Sequence, residues 1–150
     1  MPALSSATTT WQGDLGHGAG TTTPNSGAFP ALDVSWASRT ARAAGTTSPD
    51  ELLAAAHSSC FCMALSHELG EAGNPPERLE ATASVEFEPG EGVRSSHIVV
   101  SGRVPGIDQD AFADAARAAA EGCPISGALK GNVDVSVEAT LESKAAIEAR

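Results

Sequence analysis

The chain has 150 residues, 41% of them hydrophobic, and its 9 Lys and Arg against 19 Asp and Glu give a net charge of −10. This length and apolar content predict one folded domain over residues 1–150 and exclude a fully disordered chain. The negative charge repels phosphate groups, so nucleic acid and membrane are not expected partners. No apolar run is long enough to cross a bilayer, and no secretory signal is recognisable. Three cysteines are too few for a disulfide scaffold. We therefore expect a cytoplasmic protein.

The first third of the chain predicts short strands. Two Thr-rich runs, Thr8–Trp11 and Thr21–Thr23, flank a segment rich in Gly and Asp and predict a hairpin. Alternation of apolar and polar residues over Leu32–Trp36 predicts a third strand. The segment Ser38–Thr47 is expected to form a loop.

The strongest local signal is the start of a helix. Ser48 can cap it, Pro49 suits the first helical position, and Glu51 can complete a capping box. The helix is predicted to run from Leu52 to about Glu71. Because its first half is apolar or small on nearly every side, we expect a long central helix, buried by sheet or by a second subunit.

The second half of the chain mixes strands and helices. The resulting order, β-β-β-α-β-β-α-α-β, predicts an α+β fold with a mainly antiparallel sheet. A hairpin is predicted from the strands Ala81–Phe87 and Ile98–Val104. Two helices are then predicted, one over Gln109–Glu121 and a short one from Pro124 to Gly131. A last strand is predicted over Val133–Leu141, followed by a loose tail or frayed helix over residues 143–150.

Three cysteines are the candidates for chemistry. Cys60 lies within the long predicted helix, where a thiol is often a small core side chain. Cys62 points about 200° away around that helix and is interpreted as a core residue. Cys123 directly precedes Pro124, so the positive end of a helix dipole is expected to lower its pKa and favour the nucleophilic thiolate.

Neighbouring polar residues allow other interpretations. A zinc site from His57 and the three cysteines is disfavoured, because the two helix cysteines diverge and no Cys-x-x-Cys pair is present. For His57 we expect a satisfied or solvent-facing ring. Arg39 and Arg42 are surface cations, unless one of them faces Cys60 and stabilises its thiolate.

Two motifs resemble those of a known family. The central-helix motif of the OsmC/Ohr family of thiol peroxidases is similar to GTTSPDELLAAAHSSCFCMALS over Gly45–Ser66. The second-cysteine motif of that family is similar to GCPIS over Gly122–Ser126. The osmotically inducible (OsmC) branch of this family has motifs similar to Val104–Asp108 and to Trp11–Asp14. The resemblance therefore covers nearly the whole chain.

This resemblance implies a fold, an activity and a set of site residues. The fold would be an intertwined homodimer whose long central helices are enclosed by sheets from both chains. The activity would be reduction of organic hydroperoxides without metal, haem, flavin or other cofactor. Cys60 matches the peroxidatic cysteine and Cys123 the resolving one. Arg39 matches the catalytic arginine best, with Arg42 as the alternative, and Asp50 stands where the family usually has Glu.

The implied reaction passes through a Cys60 sulfenic acid and a Cys60–Cys123 disulfide, which a dithiol such as a dihydrolipoyl protein reduces. An apolar dimer interface that includes Phe61 would suit an alkyl or lipid hydroperoxide, in oxidative or osmotic stress defence. The alternative is a protein of the same fold that binds an apolar ligand, or acts in stress, with little turnover. Asp50 in place of Glu keeps this alternative open.

Overall fold

The computed structural model describes residues 1–143 and residue 148, and the chain forms two compact units, residues 1–52 and 53–150. The boundary falls within the long helix. One domain over residues 1–150 therefore stays a prediction, and the predicted tail lies mostly outside the described residues. The observed order, β-β-β-α-α-β-β-α-α-β, has one helix more than predicted.

The first unit contains a three-stranded antiparallel sheet in the order β1-β2-β3, made of Ala7–Gln12, Ala19–Pro24 and Leu32–Val34. β1 and β2 form the predicted hairpin, in which Thr9 lies opposite Thr22. The strand propensity of the Thr-rich runs is therefore sufficient to identify this hairpin.

A short helix, α1 (Trp36–Thr40), replaces the end of the predicted third strand and the start of the predicted loop. The Ser35 hydroxyl accepts from the Ser38 N–H at 3.0 Å, and the Ser38 hydroxyl accepts from the Ser35 N–H at 2.9 Å. These reciprocal bonds are a capping box, and they end the strand and start a helix at Trp36. The prediction of strand and loop was wrong here.

The long helix α2 (Pro49–Glu71) begins where the sequence predicts. The Ser48 hydroxyl accepts from the Glu51 N–H at 3.1 Å, which satisfies one free donor of the first turn. The Glu51 carboxylate accepts instead from the Thr47 hydroxyl at 2.8 Å. The capping box is therefore one-sided, and its acidic member ties the preceding loop to the helix.

Within the chain, α2 buries one stripe of its surface rather than every face. Met63 lies off the stripe and is 72% exposed, so enclosure of the whole helix would require a second chain and stays a prediction. Phe61, expected at a dimer interface, is fully buried inside this chain, so that expectation was wrong. From the middle of the helix onward the buried residues recur every four positions, which places them on one face: His57, Phe61, Leu65 and Leu69.

The second unit contains the second sheet, in which the strands lie in the order β4 (Arg78–Glu88), β5 (Gly92–Arg103) and β6 (Asp134–Leu141). β4 and β5 form the predicted antiparallel hairpin, whereas β6 pairs with β5 in parallel, which a mainly antiparallel prediction did not anticipate. A parallel pair needs a long crossover, and the two helices supply it. These helices are α3 (Gln109–Gly122) and α4 (Pro124–Leu129).

The core of the second unit is built from α2, the second sheet and α3. At Gly102 a Cβ atom would lie 2.6 Å from the Phe112 ring, so β5 and α3 approach too closely for any larger residue. The buried apolar cluster comprises Phe61, Leu65, Leu69, Ile98, Val100, Val104, Phe112, Ala116 and Ala119.

Candidate active site

Two cysteines that are 63 residues apart in sequence meet in the second unit. The Cys123 sulfur lies 3.2 Å from the Cys60 sulfur. α2 positions Cys60, which is half-buried, and the junction between α3 and α4 positions Cys123, which is only 1% exposed. Both thiols are reduced, and their contact distance allows either sulfur to attack an oxidised form of the other.

The two thiols of this pair have different electrostatic environments. Burial raises the pKa of Cys60. Burial also acts to raise the pKa of Cys123, but hydrogen bonds from the backbone and side chain of Ser126, from Cys60 and from the Ile125 backbone outweigh it and lower that pKa. The pKa values of the two thiols are therefore shifted in opposite directions, upward for Cys60 and downward for Cys123. The lowered pKa of Cys123 agrees with the prediction from its position before Pro124.

Cys62 has separate surroundings, as its helical position predicts. It is half-buried, burial raises its pKa, and the backbone of Ala81 on β4 hydrogen-bonds to it. It lines an open groove together with Met63 and His67 of the same helix. Cys62 is thus neither fully buried core nor part of the sulfur pair.

In the first unit, Arg39 and Asp50 form an ion pair with two hydrogen bonds. The Arg39 Nε donates to Oδ2 of Asp50 at 2.8 Å, and Nη2 donates to Oδ1 at 3.1 Å. The Asp50 side chain is 4% exposed and that of Arg39 is 26% exposed. A paired geometry of this kind fixes the plane and direction of the guanidinium. The shorter carboxylate of Asp50, compared with the usual Glu, still reaches the arginine.

Arg42, the alternative arginine, has other partners. Its Nη1 donates to the Ser48 hydroxyl at 2.8 Å, its Nη2 lies 3.5 Å from the Glu51 carboxylate, and its side chain is 54% exposed. Asp50 therefore pairs with Arg39, while Arg42 fastens the loop before α2 to the start of the helix. The catalytic roles of Arg39 and Asp50 stay predictions.

His57 has a satisfied ring, one of the two environments expected for it, but the sequence did not identify its partners. Its ring is completely buried, with Nδ1 2.6 Å from the Ser96 hydroxyl and Nε2 2.8 Å from the Ser126 hydroxyl. Burial lowers its pKa, so the ring is neutral at neutral pH. Its spacing of four from Phe61 and eight from Leu65 was the signal that it lies on the buried stripe.

Two negative findings concern the residues that the structure describes. Among them, no group of three or more His, Cys, Asp and Glu side chains is arranged to hold a metal ion. Over the same residues, no helix combines the length and apolar character that crossing a membrane requires.

Comparisons with known proteins identify similar sequences and structures. A family model described as OsmC-like protein matches residues 42–138. Peroxiredoxin OsmC of Escherichia coli (strain K12) is 36% identical over 131 residues, covering 85% of this chain and 91% of that protein. Organic hydroperoxide resistance protein OhrB of Bacillus subtilis (strain 168) is 30% identical over 93 residues, covering 61% of this chain and 68% of that protein.

The likeness extends to three dimensions. The crystal structure of organic hydroperoxide resistance protein OhrB of Bacillus subtilis superposes with a TM-score of 0.66 at 29% identity, covering 90% of this chain and 98% of that one. An OsmC structure from Legionella pneumophila gives a TM-score of 0.67 at 24% identity, covering 93% of this chain and 99% of that one. The predicted OsmC/Ohr-like α+β fold is confirmed.

Proposed function

The chain belongs to the family of OsmC-like proteins, and from this premise we propose that it is a thiol-dependent peroxidase that reduces organic hydroperoxides to alcohols. One observation carries the proposal: the sulfurs of Cys60 and Cys123 lie 3.2 Å apart in a half-buried site. The names of its relatives, a peroxiredoxin and an organic hydroperoxide resistance protein, support a peroxidase-type redox role.

In the first step, the Cys60 thiolate attacks the distal oxygen of the hydroperoxide. A sulfur–oxygen bond forms, the oxygen–oxygen bond breaks, and the alkoxide takes a proton to leave as an alcohol. Cys60 becomes a sulfenic acid. We assign the attack to Cys60 because it is the more exposed member of the pair, whereas Cys123 is closed off from solvent.

In the second step, the Cys123 thiolate attacks the Cys60 sulfur. The disulfide forms, the sulfur–oxygen bond breaks, and the released hydroxide takes a proton to become water. A dithiol, such as a dihydrolipoyl protein, then returns both cysteines to thiols by exchange. This cycle suits a reducing cytoplasm, where we place the protein.

Activation of Cys60 needs a source of positive charge, because burial raises its pKa and disfavours the thiolate. We assign this role to Arg39, held by Asp50 through two hydrogen bonds. A guanidinium fixed in this way stabilises a thiolate and the negative charge that develops on the leaving oxygen. Asp50 is the positioning residue that orients it.

We propose further that the protein is a homodimer. α2 is apolar or small around its first half, yet within the chain it buries one stripe and leaves Met63 72% exposed. A second copy that covers this side would bury the remaining apolar surface, which favours association. The size of the protein in sedimentation velocity tests this: a dimer is expected, and Met63→Glu should shift it toward monomer, whereas Leu4→Glu in the exposed N-terminal segment should not.

The peroxidase proposal is tested by turnover with an organic hydroperoxide and a dithiol, following the alcohol product. Wild type and Cys62→Ser should turn over at similar rates, and Cys60→Ser should lose turnover. The two serine variants sit two residues apart on one helix, so each controls for the general effect of the substitution. Equal turnover by Cys60→Ser and wild type would overturn the proposal.

The raised pKa of Cys60 favours one alternative, a protein of the same fold that binds an apolar ligand or acts in stress with little turnover. A protonated thiol reacts slowly with peroxides. This alternative predicts that all three thiols stay reduced in the presence of stoichiometric organic hydroperoxide, whereas the peroxidase consumes two of them.

A further inference from the structure

The two cysteines of the candidate site differ in how far the chain covers them. Cys123 is only 1% exposed, and its main chain is held in both neighbouring helices. Its N–H donates to the Ala119 carbonyl at 2.8 Å, and its carbonyl accepts from the Gly127 N–H at 2.9 Å. Cys60 lies in the middle of α2 and is half-buried. Because side chains project outward from a helix and surround its backbone, the exposed part of Cys60 is its side chain.

Formation of a disulfide would preserve this difference in exposure. The sulfurs of Cys60 and Cys123 already lie 3.2 Å apart, so they need to approach each other by only about 1 Å to form a covalent bond. Small side-chain shifts provide an approach of this size, and neither cysteine has to leave its place in the helices. In the oxidised protein Cys123 therefore stays covered by the chain, and Cys60 stays the sulfur that solvent reaches.

Reduction of a disulfide by exchange depends on which of its two sulfurs is attacked. The incoming thiolate approaches one sulfur in line with the bond that breaks, and the other sulfur leaves with the electron pair. Because Cys123 occupies the buried side of Cys60, an approach from solvent comes from the opposite side, as exchange at Cys60 requires. A thiol of lower pKa also leaves faster, and the lowered pKa of Cys123 favours it as the leaving sulfur.

We propose that the dithiol reductant attacks Cys60 and not Cys123, so that the mixed disulfide with the reductant forms on Cys60. This inference rests on the proposed peroxidase function. It gives Cys60 two reaction partners: the hydroperoxide oxygen and the reductant sulfur both reach the same atom, from the side away from Cys123. Cys123 is then an internal partner that meets only Cys60.

The proposed exchange proceeds in two steps that move two electrons from the dithiol to the cysteines. In the first, a bond forms between the reductant sulfur and Cys60, the Cys60–Cys123 bond breaks, and Cys123 leaves as a thiolate that takes up a proton. In the second, the other thiolate of the reductant attacks the reductant sulfur bound to Cys60. The reductant leaves as its own disulfide, and Cys60 is released as a thiolate.

The direct test locates the mixed disulfide in Cys62→Ser protein, which keeps only the two cysteines of the pair. The disulfide is prepared with diamide, a thiol oxidant that is not a hydroperoxide, and is then exposed to 2-mercaptoethanol, a monothiol that has no second thiol to complete the exchange. Samples are quenched with acid at the earliest times and mapped by mass spectrometry. The adduct on Cys60 should exceed that on Cys123 by at least about tenfold, because Cys123 can be reached only after local opening of the chain.

A second measurement separates access from charge, using variants that each keep one cysteine. Cys62→Ser/Cys123→Ser keeps Cys60, and Cys60→Ser/Cys62→Ser keeps Cys123. Each is mixed with dithiodipyridine, whose sulfur must approach the protein sulfur as the reductant does. Cys60 should react at least about tenfold faster in the folded protein, and the two rates should agree within about twofold in denaturant. The pKa shifts alone predict the reverse order, because the pKa is raised for Cys60 and lowered for Cys123.

The outcomes distinguish this inference from the proposed function. If diamide forms the Cys60–Cys123 disulfide and organic hydroperoxide does not, the proposed function fails while the exchange experiment still tests the inference. Adducts mainly on Cys123, or equal adducts on the two sulfurs, would overturn the inference. Faster reaction of Cys123 than of Cys60 in the folded variants would overturn it too, as would failure of diamide to join the two sulfurs.

Discussion

Cys60 and Cys62 lie two residues apart on α2, and burial raises the pKa of both, yet they face different surroundings. Cys60 contacts a second sulfur at 3.2 Å and the backbone of Ile125 hydrogen-bonds to it. Cys62 receives a hydrogen bond from the backbone of Ala81 and lines an open groove. The two thiols therefore share a helix and a similar degree of burial. The neighbouring sulfur of Cys123 is what distinguishes Cys60 from Cys62.

The largest expected effect comes from removing that neighbouring sulfur. Cys123→Ser should abolish the disulfide and leave a Cys60 sulfenic acid that dimedone traps, because Cys62 points to another side of the helix. Cys62→Ser should form the Cys60–Cys123 disulfide as wild type does. Peptide mapping by mass spectrometry checks both, and a Cys60–Cys62 disulfide in Cys123→Ser would show that the two helix thiols are not separated as described.

The residue between the two cysteines should dominate stability. Phe61 is 0% exposed in the core cluster, and a Phe→Ala change at such a site costs about 3–5 kcal/mol. Ser59→Ala, at an exposed position on the same helix, should change the free energy of unfolding by less than about 0.5 kcal/mol. Urea denaturation measures both, and similar costs for the two variants would contradict the one-sided burial of α2.

Removing the proposed cation should slow Cys60 selectively. An opposite charge near a thiolate lowers its pKa by 1–3, so Arg39→Gln should slow oxidation of Cys60 by about 100-fold. Arg42→Gln is the control and should stay within about twofold of wild type, because Arg42 bonds to Ser48. Alkylation of Cys62 should be unaffected by either change. Stopped-flow oxidation with an organic hydroperoxide distinguishes the two arginines, and a larger loss in Arg42→Gln would reverse the assignment.

The smallest effect is a pH dependence of stability from His57. Its pKa is lowered in the folded state from an ordinary value of 6.5, so the unfolded chain binds more protons between the two values. The stabilisation is complete above about pH 6.5 and declines as the pH falls toward the folded pKa. The difference between the melting temperatures at pH 5 and pH 7.5 should be smaller in His57→Gln than in wild type. An equal difference would show that the ring does not titrate as described.

Much of the fold was predictable because its signals are local. The cap at Ser48 located the start of α2, and alternating residues located β4, β5 and β6. α1 was missed because its signal is a capping box of two serines over a helix of only five residues. The parallel pairing of β6 with β5 was also missed, since alternation shows which face of a strand is buried and not which strand lies beside it.

The candidate site was predictable in part. The two cysteine motifs led to Cys60 and Cys123, and the helix start after Cys123 indicated its lowered pKa. The serine partners of His57 lie 39 and 69 residues away in sequence, so no local pattern could name them. Whether Arg39 or Arg42 meets Asp50 depended on the path of the loop that α1 redirects, which the sequence interpretation had as irregular.

The most direct measurement of the central claim is the cysteine connectivity of reduced protein after a slight excess of organic hydroperoxide. The quenched protein is digested without reduction and mapped by mass spectrometry. A rapidly formed disulfide between Cys60 and Cys123, with Cys62 free, is the predicted result. Three free thiols, or a disulfide that contains Cys62, would contradict the assignment of the sulfur pair as the catalytic centre.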